Sequence, residues 1–148
     1  MVVAVIIASC SSSNSSGRIV QKELPIEGTW KLLSGTIIEK GDTVVTDYTH
    51  DRSFIKIINK THFAFLSHAV GAAKDSASAY SSGGGRYTLT DRDYTENLEY
   101  CSSREWEGNK FSFTVEIKND TLIQKGVEKV EKAGIERINI EKYIRLKE

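Results

Sequence analysis

Pro25 is the one proline among 148 residues, so almost nothing in the chain breaks a strand from within. An excess of either charge is missing too. Lysine and arginine together number 20 and aspartate and glutamate 20, a formal charge of zero. No basic excess draws the chain to nucleic acid, and no acidic excess marks a solvating tail. Long apolar runs are absent: Val2–Ala8 is far shorter than the roughly 20 residues a membrane helix needs. Long 3.6-residue periodicity is absent as well, which excludes a helical bundle. The apolar fraction of 39% is nevertheless that of a folded protein, and the length suits one domain.

The sharpest local signal is at the start. Val2-Val3-Ala4-Val5-Ile6-Ile7-Ala8 is an uncharged apolar run of the size found at the centre of a secretory signal. Ile7-Ala8-Ser9-Cys10 follows it and looks like a bacterial lipobox. There the cysteine sulfur carries a diacylglycerol and signal peptidase cuts just before it. The usual positively charged leader is missing, which a start codon placed too far downstream explains. Ser11-Ser12-Ser13-Asn14-Ser15-Ser16-Gly17 buries nothing and reads as a tether. The expected organisation is a signal peptide over 1–9, a lipidated Cys10 with its tether over 10–25, and a folded domain over 26–148. With Cys10 lipidated, Cys101 has no intrachain partner and reads as a small buried hydrophobe.

Beyond the tether the pattern has period two. Phe54–Ile58, His62–Leu66, Arg86–Thr90, Lys110–Ile117 and Arg137–Leu146 are short, rich in β-branched and aromatic residues, and bounded by turn formers. Asn59-Lys60-Thr61, Asp91-Arg92-Asp93, Glu107-Gly108-Asn109 and Lys118-Asn119-Asp120 are hairpin-length links. Thr43–Thr46 reads as a solvated strand edge, and the charged stretch from Gly126 to Gly134 as a long hairpin arm or loop. Consecutive hairpins make an up-and-down meander. With about eight strands, closure removes the exposed edges. The expected fold is all-β, a single antiparallel up-and-down barrel.

Ser67 to Gly85 interrupts the rhythm with small residues and Gly83-Gly84-Gly85. A connection of this length is either a lid across the barrel mouth or a plain surface loop. The glycine triplet lacks the Lys-Ser/Thr of a phosphate loop and reads as a strand start where no side chain fits.

Gly28-Thr29-Trp30-Lys31-Leu32 opens the folded region and Tyr143-Ile144-Arg145-Leu146 closes it. This pairing resembles the calycin superfamily of lipocalins and fatty-acid-binding proteins. The resemblance implies that Trp30 plugs the closed end of the barrel under the guanidinium of Arg145. Ile55–Ile58, Gly84–Leu89, Tyr94–Tyr100, Gly126 after Leu122–Lys125, and Glu141–Arg145 are similar to a narrower group, the bacterial lipocalin-like domain proteins. Together these segments span about Gly28 to Leu146. That group is mostly without assigned function, so the resemblance speaks to fold more than activity.

Strand parity nominates a lining. If the mixed faces point inward, the interior holds Trp30, Phe54, Lys56, Tyr87, Tyr94, Glu96, Tyr100, Tyr143 and Arg145, with Lys56 paired to Glu96 or Arg145 to Glu141. Such a lining suits an amphipathic ligand. The alternative is a solid core, since barrels of this size can be filled by side chains alone. Catalysis has little support: Glu96 and Glu99 face opposite sides, and no nucleophile–histidine–acid order stands out. His50, His62 and His68 lack metal-ligand spacing, and no cofactor is implied. The leading expectation is a non-catalytic lipoprotein of the bacterial cell envelope, on the periplasmic side or at the surface. Its barrel binds a small hydrophobic or amphipathic molecule, and the lipid on Cys10 holds it to a membrane. The rival is a solid barrel acting as an interaction or structural module with an envelope protein partner.

Overall fold

The computed structural model describes residues 24–71 and 80–147. The segment expected to be a signal peptide, Cys10, the serine-rich tract and residues 72–79 lie outside the described residues, and so does the question of a lid. Ten strands follow one another: β1 Gly28–Glu39, β2 Asp42–Asp47, β3 Arg52–Ile58, β4 His62–Ala69, β5 Tyr80–Thr90, β6 Asp93–Asn97, β7 Tyr100–Cys101, β8 Lys110–Lys118, β9 Thr121–Val130 and β10 Ile135–Arg145. The strands pair antiparallel in the order β10-β9-β8-β6-β5-β4-β3-β1-β2 with β7 on β5, and β1 also pairs β10 from Trp30↔Arg145 to Ile38↔Ile138. That last pairing turns the meander into a closed eight-stranded antiparallel barrel.

Ten strands make eight staves because two staves are broken. β2 and β3 both run beside β1, through Ser34↔Asp47 and Lys31↔Ile55, so the chain between them bulges out of the ladder. β6 and β7 both run beside β5: Tyr87 faces Glu96, but Gly84 faces Tyr100. One extra residue has entered between those two pairs, and a one-residue insertion reverses which side chains face inward.

The turns follow their sequences. Lys40-Gly41 and Asn119-Asp120 have positive φ at both residues, the geometry that matches the twist of a tight hairpin. Gly134 takes the left-handed conformation after a single 3₁₀ turn, Glu131–Ala133, so the charged arm is a hairpin whose strand β9 runs to Val130. Of the stretch expected to be one long connection, nine of the eleven described residues are ladder. Ser67–Ala69 completes β4, and Tyr80–Gly85 opens β5 opposite it, from His68↔Tyr80 to Phe63↔Gly85. Small residues there serve close backbone approach rather than a loop. A Cβ on Gly84 would lie 2.5 Å from the Phe63 carbonyl oxygen, and one on Gly83 2.6 Å from the Phe65 ring.

The core runs up the inside from a plug at one end. Trp30, Leu32, Ile58, Phe63, Tyr94, Val115, Leu122 and Tyr143 are buried there, with Ile26 beneath. The Trp30 indole N–H donates to the Ile26 carbonyl at 2.8 Å. The Arg145 guanidinium lies 4.1 Å from the Trp30 ring centre, donates to the Glu27 carbonyl at 2.6 Å, and reaches the Pro25 carbonyl. This is the pairing that the resemblance implied for Trp30 and Arg145.

Candidate functional site

The open end of the barrel leads into a cavity of about 430 Å³, within the roughly 300–1,000 Å³ of small-molecule sites. Its upper wall includes Tyr48, Phe54, Phe65, Trp106 and Phe111. Phe54 stacks on Phe65 at 5.6 Å and meets Tyr48 edge-on at 6.1 Å. Tyr48 comes from the bulge between β2 and β3, where its backbone N–H donates to the Leu33 carbonyl. Its ring packs over Gly35, whose missing side chain makes the space.

Charge sits in two layers. At the floor Lys56, 3% exposed, donates to Glu96 at 2.8 Å and to the Gln124 carbonyl oxygen at 3.0 Å, with Glu141 3.8 Å away. The Tyr143 hydroxyl donates to Glu141 at 2.7 Å. Nearer the mouth Glu128 accepts from Arg137 and from Asn139, both at 2.7 Å. The Arg137 guanidinium lies 5.2 Å from the Trp106 ring centre. Burial opposes the Lys56 charge, but Glu96 and Glu141 outweigh it and hold the lysine above its ordinary pKa. Burial also dominates at Glu96, and with the nearby Glu141 charge it keeps that carboxyl above its usual range despite Lys56. Burial and then Glu141 raise Tyr48 and Tyr143.

Of the nine nominated residues, Phe54, Lys56 and Glu96 line this cavity. Trp30, Tyr94 and Tyr143 are fully buried in the core below it. Tyr87 and Arg145 belong to the closed end. Tyr87 donates from its hydroxyl to the Asn59 carbonyl at 2.8 Å and flanks a second depression under Leu24–Glu27. Tyr100 faces outward, 68% exposed, because the bulge after Asn97 reverses the parity that was carried through from Tyr94. Cys101 turns into the cavity wall in its place. Lys56 does pair with Glu96, whereas Arg145 does not reach Glu141. Arg145 is drawn down onto Trp30 and the carbonyls below it, and Glu141 is engaged by Lys56 and Tyr143.

No family model matches the chain, and no curated protein matches it.

Several wall residues escaped the sequence reading. Gln124 and Glu128 continue the inward parity of Leu122, and Asn139 and Arg137 continue that of Tyr143 and Glu141. Continuing each inward face in steps of two toward the mouth, past Gly126 on β9, finds them. Tyr48 and Trp106 lie in a bulge and a 3₁₀ turn, where parity carries no information. Among the described residues no group of three or more histidine, cysteine, aspartate or glutamate side chains is arranged to hold a metal ion. No helix among them is long and apolar enough to cross a membrane.

Proposed function

We propose that the protein is a non-catalytic binder of a small hydrophobic or amphipathic molecule, tethered to the bacterial cell envelope by a lipid on Cys10. The observation that carries the binding half is the cavity itself: open at one end, walled by aromatic rings and floored by a polar network. A solid scaffold would have filled that space with side chains. The tether half rests on Ile7-Ala8-Ser9-Cys10 and the serine tract behind it, and the Trp30–Arg145 plug supports kinship with lipocalin-like lipoproteins.

Native mass spectrometry of the full chain, extracted in detergent from bacterial membranes, tests both halves in one spectrum. The expected protein mass includes a diacylglycerol on Cys10 as its new N-terminus, together with a non-covalent small-molecule adduct. An unlipidated chain removes the envelope anchor. A clean adduct-free mass that persists after soaking in envelope lipid extract removes the binder and favours the interaction module.

A further inference from the structure

Among the residues that line the cavity the acids outnumber the cations, while Arg52 at the start of β3 acts on Tyr48 from outside that lining. The cavity is lined by Lys56 and Arg137 against Glu96, Glu128 and Glu141. Lys56 is held by Glu96 at 2.8 Å and Arg137 by Glu128 at 2.7 Å. Glu141 is the acid left over. Its nearest cation is Lys56, at 3.8 Å and already committed, and the one hydrogen bond it accepts comes from the neutral Tyr143 hydroxyl. The carboxylate, its side chain 16% exposed, therefore has no lining cation of its own. It sits beneath the aromatic walls formed by Tyr48 and Phe54.

The floor carries a second polar group. Gln124 is 1% exposed and lines the cavity. Lys56 fixes the orientation of its amide by taking the oxygen as acceptor. The amide N–H groups are the donors that side chain has to offer.

An anionic head group fits this floor poorly. To reach Lys56 it must displace Glu96 and then lie beside Glu141. A cation faces neither cost, because it completes the charge of Glu141 and finds aromatic faces above it. We infer that the cavity selects an organic monocation, a protonated amine on an apolar body, with Glu141 as its counter-ion and the Tyr48 and Phe54 rings against its stem. The inference rests on the ligand-binding reading above and narrows it to one head-group charge.

Isothermal titration calorimetry of the full chain with octylamine, octanol and octanoate tests it, since the three share one body and differ in head group. Octylamine is expected to bind about tenfold or more tighter than octanol, and octanoate weakest. Glu141→Gln is expected to bring octylamine to the level of octanol. The Tyr143 hydrogen bond survives that substitution, so the fold is retained. Equal binding of all three probes keeps the binder and overturns the cation. Octanoate matching or exceeding octylamine overturns it as well, as does an unaffected Glu141→Gln. Binding of none of them removes the ligand reading and the inference with it. The ranking in the wild-type protein decides the matter without any variant.

Discussion

At the scale of single residues, Lys56 is the hinge of the interior. It is a buried ammonium with three acceptors around it, so its removal leaves Glu96 and Glu141 together at the cavity floor without their cation. Breaking a buried pair from one side typically costs about 3–5 kcal/mol, whereas replacing both partners with apolar groups costs far less. Lys56→Met is therefore expected to lose about that much stability in urea denaturation, and Lys56→Met with Glu96→Leu to recover a substantial part of it. A double variant no better than the single one refutes the pairing. The pH dependence has a definite sign. The folded pKa of Lys56 is raised, so its contribution is complete below about 10.4, the unfolded value, and is lost as pH rises through the folded one. Tyr48, Tyr94 and Tyr143, raised by burial, push the same way. The alkaline loss of stability in Lys56→Met is thus expected to be shallower than in the wild type, not absent.

At the scale of elements, the glycine triplet in β5 decides the shape of the site. β6 can break after Asn97 and resume as β7 because the facing strand has no side chains in the way. A Cβ on Gly85 would strike the Asn97 carbonyl and come within 2.8 Å of the Glu99 amide. Overpacking of this kind costs about 1–3 kcal/mol. Gly85→Ala is expected to lose that much stability and to shift the amide resonances of residues 97–101 most. A substitution without effect on either would show that the broken stave does not depend on Gly85.

The same break shows what the sequence made legible and what it hid. The alternation in β3, β6, β8 and β10 sets element type and inward face, because one face is buried and a strand's period is two. Phe54, Lys56, Tyr94, Glu96 and Tyr143 are inward for that reason. Tyr100 is outward because a single extra residue cancels the count, and nothing in Asn97-Leu98-Glu99 announces it. Tyr48 enters the cavity from a bulge for which no periodicity exists. The partner of Glu141 was hidden by height rather than parity: Arg145 shares its face but sits two inward positions closer to the plug.

At the scale of the molecule, the barrel separates a rigid closed end from a receptive open one. Closure depends on β1 meeting β10, the two ends of the folded chain. Contacts so distant in sequence slow folding, because the closure entropy is met before the contact stabilises anything. Arg145 secures that junction. It stacks on Trp30 of β1 and holds the carbonyls of Pro25 and Glu27 ahead of it, so one side chain ties the last strand to the entry of the first. A lysine cannot stack a flat fork on the indole and donate twice from it. Arg145→Lys is therefore expected to cost about 1–2 kcal/mol in a single cooperative transition, followed by tryptophan fluorescence. Its effect on the cavity is expected to be nil, because Glu141, Tyr48 and Gln124 belong to the other side of the plug. Octylamine affinity in Arg145→Lys should match the wild type under conditions where both are folded. A parallel fall in stability and affinity would mean that the plug shapes the cavity floor, and that the two ends are one mechanical unit.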